Sequence, residues 1–162
     1  MKLYHGSNKY IENKITPHKS FHYKPLVYAT SDYYCALVRA GKFDVNKLTF
    51  KEDYDGVTYT LIELDPNAFE EVFDTDGYIY EVDDNLFVHT DDLMPNEYIC
   101  KENCKIVKTT HIENVGLEIK MRFPHINIIK YEEADDYWKT VRGGREGYLK
   151  RRRERVEKLK EI

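Results

Sequence analysis

Pro25-Leu26-Val27-Tyr28-Ala29-Thr30-Ser31-Asp32 marks a change from one kind of structure to another. Residues 25–29 are a short β-rich run that begins at a proline, a position strands tolerate. Ser31-Asp32 then supplies an N-cap, and Tyr34, Leu37 and Val38 recur at helical spacing until Gly41. The spacing predicts a strand ending near Tyr28 that leads into a capped helix. Upstream, Lys2-Leu3-Tyr4-His5 reads as a strand that stops at Gly6, and residues 8–24, polar, lysine-rich and interrupted by Pro17, read as an irregular connection. Downstream, residues 57–64 alternate apolar and polar side chains up to Asp65-Pro66, and residues 77–82 repeat the pattern, followed by a short apolar segment at 86–88. A loop over 91–95 leads into Glu97-Tyr98-Ile99-Cys100, and residues 104–108 are expected to pair with that strand as a hairpin across Glu102-Asn103. Several strands, few helices and no βαβ alternation argue for an α+β domain with a largely antiparallel sheet system.

Beyond residue 111 the pattern becomes helical. A helical turn is expected within 112–120, and Pro124 interrupts the stretch after it. Trp138 and Val141 share a face before Gly143-Gly144, and a charged helix is expected over 147–162. The division expected is a domain over 1–120 and a helical extension over 121–162. A chain of 162 residues suffices for one ordinary domain. Its apolar share of 41% and charged share of 33% exclude a disordered chain. No apolar run reaches the roughly 18 residues a membrane helix needs, and the N-terminus lacks a signal-peptide core, so a cytoplasmic protein with no membrane partner is expected. Cys35, Cys100 and Cys104 form neither a disulfide framework nor a finger-spaced metal set, so reduced thiols and no metal are expected.

The net charge of −4 conceals an uneven distribution. Residues 1–51 carry nine Lys and Arg against three acids, whereas residues 63–97 carry twelve acids and no Lys or Arg. A basic first third suits an anionic ligand such as a dinucleotide diphosphate. The run Lys150-Arg151-Arg152-Arg153 could touch phosphate backbones, but the interleaved Glu154, Glu157 and Glu161 fit an exposed mixed-charge helix better.

Three separated pieces carry the chemistry: Leu3-Tyr4-His5-Gly6-Ser7, Leu26-Val27-Tyr28-Ala29-Thr30 and Asn96-Glu97-Tyr98-Ile99. Each reads as a strand end, and together they offer an imidazole, a phenol ring and a carboxylate. In this order they resemble the His-Tyr-Glu signature of NAD-dependent ADP-ribosyltransferases of the poly(ADP-ribose) polymerase type, over roughly residues 3–110. The resemblance implies a split pair of antiparallel sheets with flanking helices and NAD, as substrate, in the cleft between them. It implies that His5 binds the ribose of the adenosine half, that the Gly6 backbone meets the nicotinamide amide, and that Tyr28 forms an aromatic wall for the nicotinamide ring. Glu97 is implied as the catalytic carboxylate. A neutral imidazole could donate to a ribose hydroxyl, and a glycine lets a flat amide approach its backbone. A carboxylate near the ribose stabilises the positive charge that develops as the nicotinamide bond breaks.

The interval between Tyr28 and Glu97 is shorter than in the large polymerases, which favours a single transfer, or hydrolysis, over chain elongation. The expected activity is therefore mono-ADP-ribosylation of a protein or nucleic acid, or of water. Two other classes compete with it: an inactive module that binds NAD or ADP-ribose, and a basic-tailed domain that binds nucleic acid or protein. Retention of Glu97 favours the enzyme, because a pure binder does not need that carboxylate.

Overall fold

The computed structural model describes residues 1–19, 25–53, 55–91 and 93–159. Residues 20–24 of the expected irregular connection and 160–162 of the expected C-terminal helix lie outside the described residues. The chain is α+β, as its pattern of elements predicts.

The larger sheet is built around β1 (Leu3–Ser7), β4 (Pro25–Thr30) and β7 (Gly77–Val82). β1 lies antiparallel between β7 and β4, β7 continues to β9 (Cys104–Ile112), and β9 to the short β2 (Lys14–Ile15). β4 also pairs with β3 (His18–Lys19) and with β8 (Glu97–Cys100). The smaller sheet orders β10 (Ile126–Ile129), β6 (Tyr59–Glu63) and β5 (Leu48–Glu52), with β10 parallel to β6. So part of the 121–162 segment, expected to be helical, is a strand. Its helices are α4 (Ala134–Trp138) and α5 (Gly144–Leu159).

The expected hairpin between residues 97–100 and 104–108 does not form. β8 pairs at four positions with β4, and β9 at six with β7. A local hairpin would satisfy one edge and leave the ladder groups of β4 and β7 without partners, which buried backbone does not tolerate.

α1 (Tyr33–Arg39), α2 (Ala68–Phe73) and α3 (Val115–Lys120) share one apolar cluster with both sheets. Leu37, Phe73 and Ile119 enter it from the helices, Ile79 from the large sheet, and Leu61 and Ile126 from the small one. α1 lies unusually close to the large sheet. A Cβ on Gly6 would stand 2.0 Å from the Ala36 carbonyl oxygen, and one on Gly77 would stand 2.3 Å from that of Ala40. These two glycines are what allow the helix backbone to rest on β1 and β7.

The acidic stretch is neutralised from elsewhere in the chain. Glu63, 2% exposed, accepts from the backbone N–H groups of Phe69 and Tyr131 at 2.8 Å each and from Lys130 Nζ at 3.1 Å. Lys130 also reaches Glu70, and Lys47 pairs with Asp65 and Glu71. The basic run on α5 is divided in role: Arg152 donates to the Val45 carbonyl at 3.1 Å, whereas Arg153 and Arg155 are exposed. Among the described residues, no helix is long and apolar enough to cross a membrane.

Candidate active site

β1 and β4 share a single paired position, Tyr4 opposite Thr30. Beyond it the strands part, and a cleft of about 1010 Å³ occupies the gap. His5, Gly6 and Ser7 line it from β1, Tyr28, Ala29 and Thr30 from β4, and Cys35, Ala36 and Arg39 from α1. Its volume lies at the upper end of the range for small-molecule sites. All four residues singled out from the sequence, His5, Gly6, Tyr28 and Glu97, line this one cleft.

Parted strands leave ladder carbonyls without partners, and His5 answers for one of them. Its Nδ1 lies 2.6 Å from the Tyr28 carbonyl oxygen. A carbonyl only accepts, so Nδ1 carries the proton. Burial pushes the imidazole down from 6.5 to about 4, so the ring is neutral near pH 7. Nε2 is therefore a bare lone pair. This differs from the expectation that the imidazole donates to a ribose hydroxyl: with its proton held by the Tyr28 carbonyl, the neutral ring has only an acceptor left to offer.

Glu97 opens β8 and sits opposite Thr30, next to the pair at which the cleft begins. It is 7% exposed. Its own carbonyl accepts from His89 Nδ1 at 2.8 Å, and its N–H donates to Met94 at 2.9 Å. The carboxylate Oε2 lies 3.7 Å from Arg39 Nη2, and among the described residues the buried Oε1 has no hydrogen-bond partner. A buried carboxylate oxygen in that condition is costly; Asn96 Oδ1, on the preceding residue, shares it.

The fold itself requires a glycine at position 6. The side on which a Cβ would stand is filled by the α1 backbone, so the glycine is first a requirement of helix packing. Cys35 lines the cleft, but burial pushes its thiol up to about 11, which removes it as a nucleophile at neutral pH. Cys100 and Cys104 are buried free thiols in the cluster formed by Leu3, Val27 and Tyr80.

Residues outside the motif hold Glu97's strand in place. Tyr59 of β6 donates to Asp32 Oδ2 at 2.6 Å and accepts from Asn96 Nδ2 at 2.6 Å. Burial and the bond to Asp32 push the phenol far above its usual range, so it keeps its proton. Asp32 Oδ1 in turn accepts from the Tyr34 N–H and caps α1, and the Ser31 N–H donates to the Asn96 carbonyl at 2.9 Å. One relay thus joins the small sheet, the start of α1 and the residue before Glu97.

Sequence reasoning found the cap but not the relay, because nothing local ties Tyr59 to Asn96. Arg39 was also missed as a site residue. The signal available for it was Ala36 and Ala40, small residues one helical turn apart, which put that face of α1 against the sheet.

Comparison with known protein families, with curated proteins and with solved structures gave no match.

Proposed function

We propose that this protein is an ADP-ribosyltransferase of the His-Tyr-Glu type. It cleaves the nicotinamide–ribose bond of NAD and transfers a single ADP-ribose to a protein, a nucleic acid or water. The observation that carries this reading is the convergence of His5, Tyr28 and Glu97, distant in sequence, on one cleft where two strands part. The unpartnered Glu97 oxygen supports it further.

The residues suit the task. His5 Nε2 accepts from a ribose hydroxyl, and the Tyr28 ring offers an apolar wall to a flat heteroaromatic amide. As the C1′–N bond breaks, its electron pair leaves with nicotinamide and positive charge develops on the sugar. Glu97 stabilises that charge and takes the proton of the oxygen that attacks C1′. Lys9, Arg39 and Lys42 along the cleft balance an anionic diphosphate.

The test is nicotinamide release from NAD, followed by mass spectrometry, with and without candidate acceptors. Glu97→Gln keeps the shape and removes the charge, so the rate is expected to fall roughly 10²–10³-fold while NAD still raises the melting temperature. A wild-type protein that is stabilised by NAD but releases no nicotinamide is a binding module. One that does neither refutes the reading.

A further inference from the structure

We propose that Arg39 reads the diphosphate of the dinucleotide, and that in doing so it moves off Glu97 and leaves that carboxylate able to act. This rests on the reading of the cleft as a NAD site.

Arg39 Nη2 and Glu97 Oε2 are 3.7 Å apart. Charge-assisted hydrogen bonds between such groups run about 2.7–2.9 Å, so the two attract without a close bond. The Glu97 side chain is almost fully enclosed, whereas Arg39 retains 29% exposure and lines the cleft. A guanidinium beside the carboxylate also opposes the task proposed for Glu97, because it offsets the negative charge meant for the sugar. A diphosphate in the cleft would draw the guanidinium from the carboxylate and remove that opposition. A diphosphate offers paired oxygens that a planar guanidinium grips bidentately.

Its position favours Arg39 over the other cleft cations. Among the described residues, it is the cation paired with Glu97, and it lines the cleft from the last turn of α1. The backbone of that helix is fixed on β1 and β7 by Gly6 and Gly77. The side chain can therefore change partner while its Cα stays in place. The exchange makes cleavage conditional on a complete dinucleotide: nicotinamide riboside, which has no phosphate, leaves Arg39 on Glu97 and is a poor substrate.

Two measurements separate this proposal from the reading beneath it. Calorimetric titration with ADP-ribose, which contains the diphosphate and no scissile bond, tests Arg39 whether or not the protein is an enzyme. Arg39→Gln is expected to weaken ADP-ribose binding roughly tenfold or more, and Arg39→Lys by less. Glu97→Gln, which releases the guanidinium from its competitor, is expected to leave that binding unchanged or tighten it. Unchanged affinity in Arg39→Gln overturns the proposal, and so does a loss in Glu97→Gln as large as that in Arg39→Gln.

The second measurement compares nicotinamide release from NAD and from nicotinamide riboside. Arg39→Gln is expected to reduce kcat/KM for NAD and to raise that for the riboside, so the preference narrows at least tenfold. Equal losses on both substrates would assign Arg39 to holding Glu97 alone and overturn the diphosphate role. Absence of nicotinamide release from wild type would refute the proposed function, and the ADP-ribose titrations would still decide on Arg39.

Discussion

His5 is held by one bond and by its burial, and both have consequences for stability. The unfolded chain takes up a proton at this imidazole near pH 6.5, whereas the native chain refuses it until about pH 4. Between those values the unfolded state binds more protons, so stability falls as the pH drops through the window. The loss approaches about 3 kcal/mol at the acid end. His5→Asn keeps an N–H in reach of the Tyr28 carbonyl and cannot titrate. Urea denaturation at pH 7 and pH 4.5 should show a smaller acid loss in this variant than in wild type. Glu97, by contrast, carries an unpartnered oxygen, and Glu97→Gln should change the melting temperature far less than it changes the rate.

At the scale of elements, the relay through Tyr59 decides how firmly β8 and α1 are joined. Tyr59→Phe leaves Asn96 Nδ2 without its acceptor and Asp32 Oδ2 without its donor. The cost is expected to be about 2 kcal/mol, read as a lowered denaturation midpoint with an unchanged slope. Sequence and structure agree best where a single element carries its own signal. The Ser31-Asp32 cap and the run Tyr34, Leu37, Val38 identify α1, and alternation identifies β6 and β7. They part where pairing is decided at a distance. β5 and β10 become strands because β6 lies between them, and neither alternates strongly enough to announce itself. β8 and β9 are read correctly as strands but matched wrongly, since adjacency in sequence favoured a hairpin and the unpaired edges of β4 and β7 outweighed it.

At the scale of the whole molecule, the cleft follows from strands that share one pair and from a helix that rests on two glycines. In the fold His5 lies in the middle of β1 and Tyr28 within β4, and only Glu97 opens its strand. The three candidates were legible in sequence because each stands in a short apolar run. Arg39 and Tyr59 were not, since their partners come from other elements and only the folded chain brings them together. Gly77 is a further case of the same kind. It does not line the cleft, yet a methyl group there meets the Ala40 carbonyl at 2.3 Å, and α1 must rise to make room. Gly77→Ala is expected to cost about 3 kcal/mol. In molecules that remain folded, it should slow nicotinamide release by up to about a hundredfold, since an ångström of misplacement suffices for that. The comparison to make is kcat per folded molecule, at a temperature where circular dichroism shows the variant intact. The nearest contact at both glycines is backbone on backbone, and at Gly77 the Val115 Cγ2 would also stand 3.0 Å from the added methyl, so α1 has little room to settle elsewhere. The Gly77 contact falls on Ala40, the residue after Arg39, so one methyl group on a strand outside the cleft would displace the segment that carries the cleft's guanidinium.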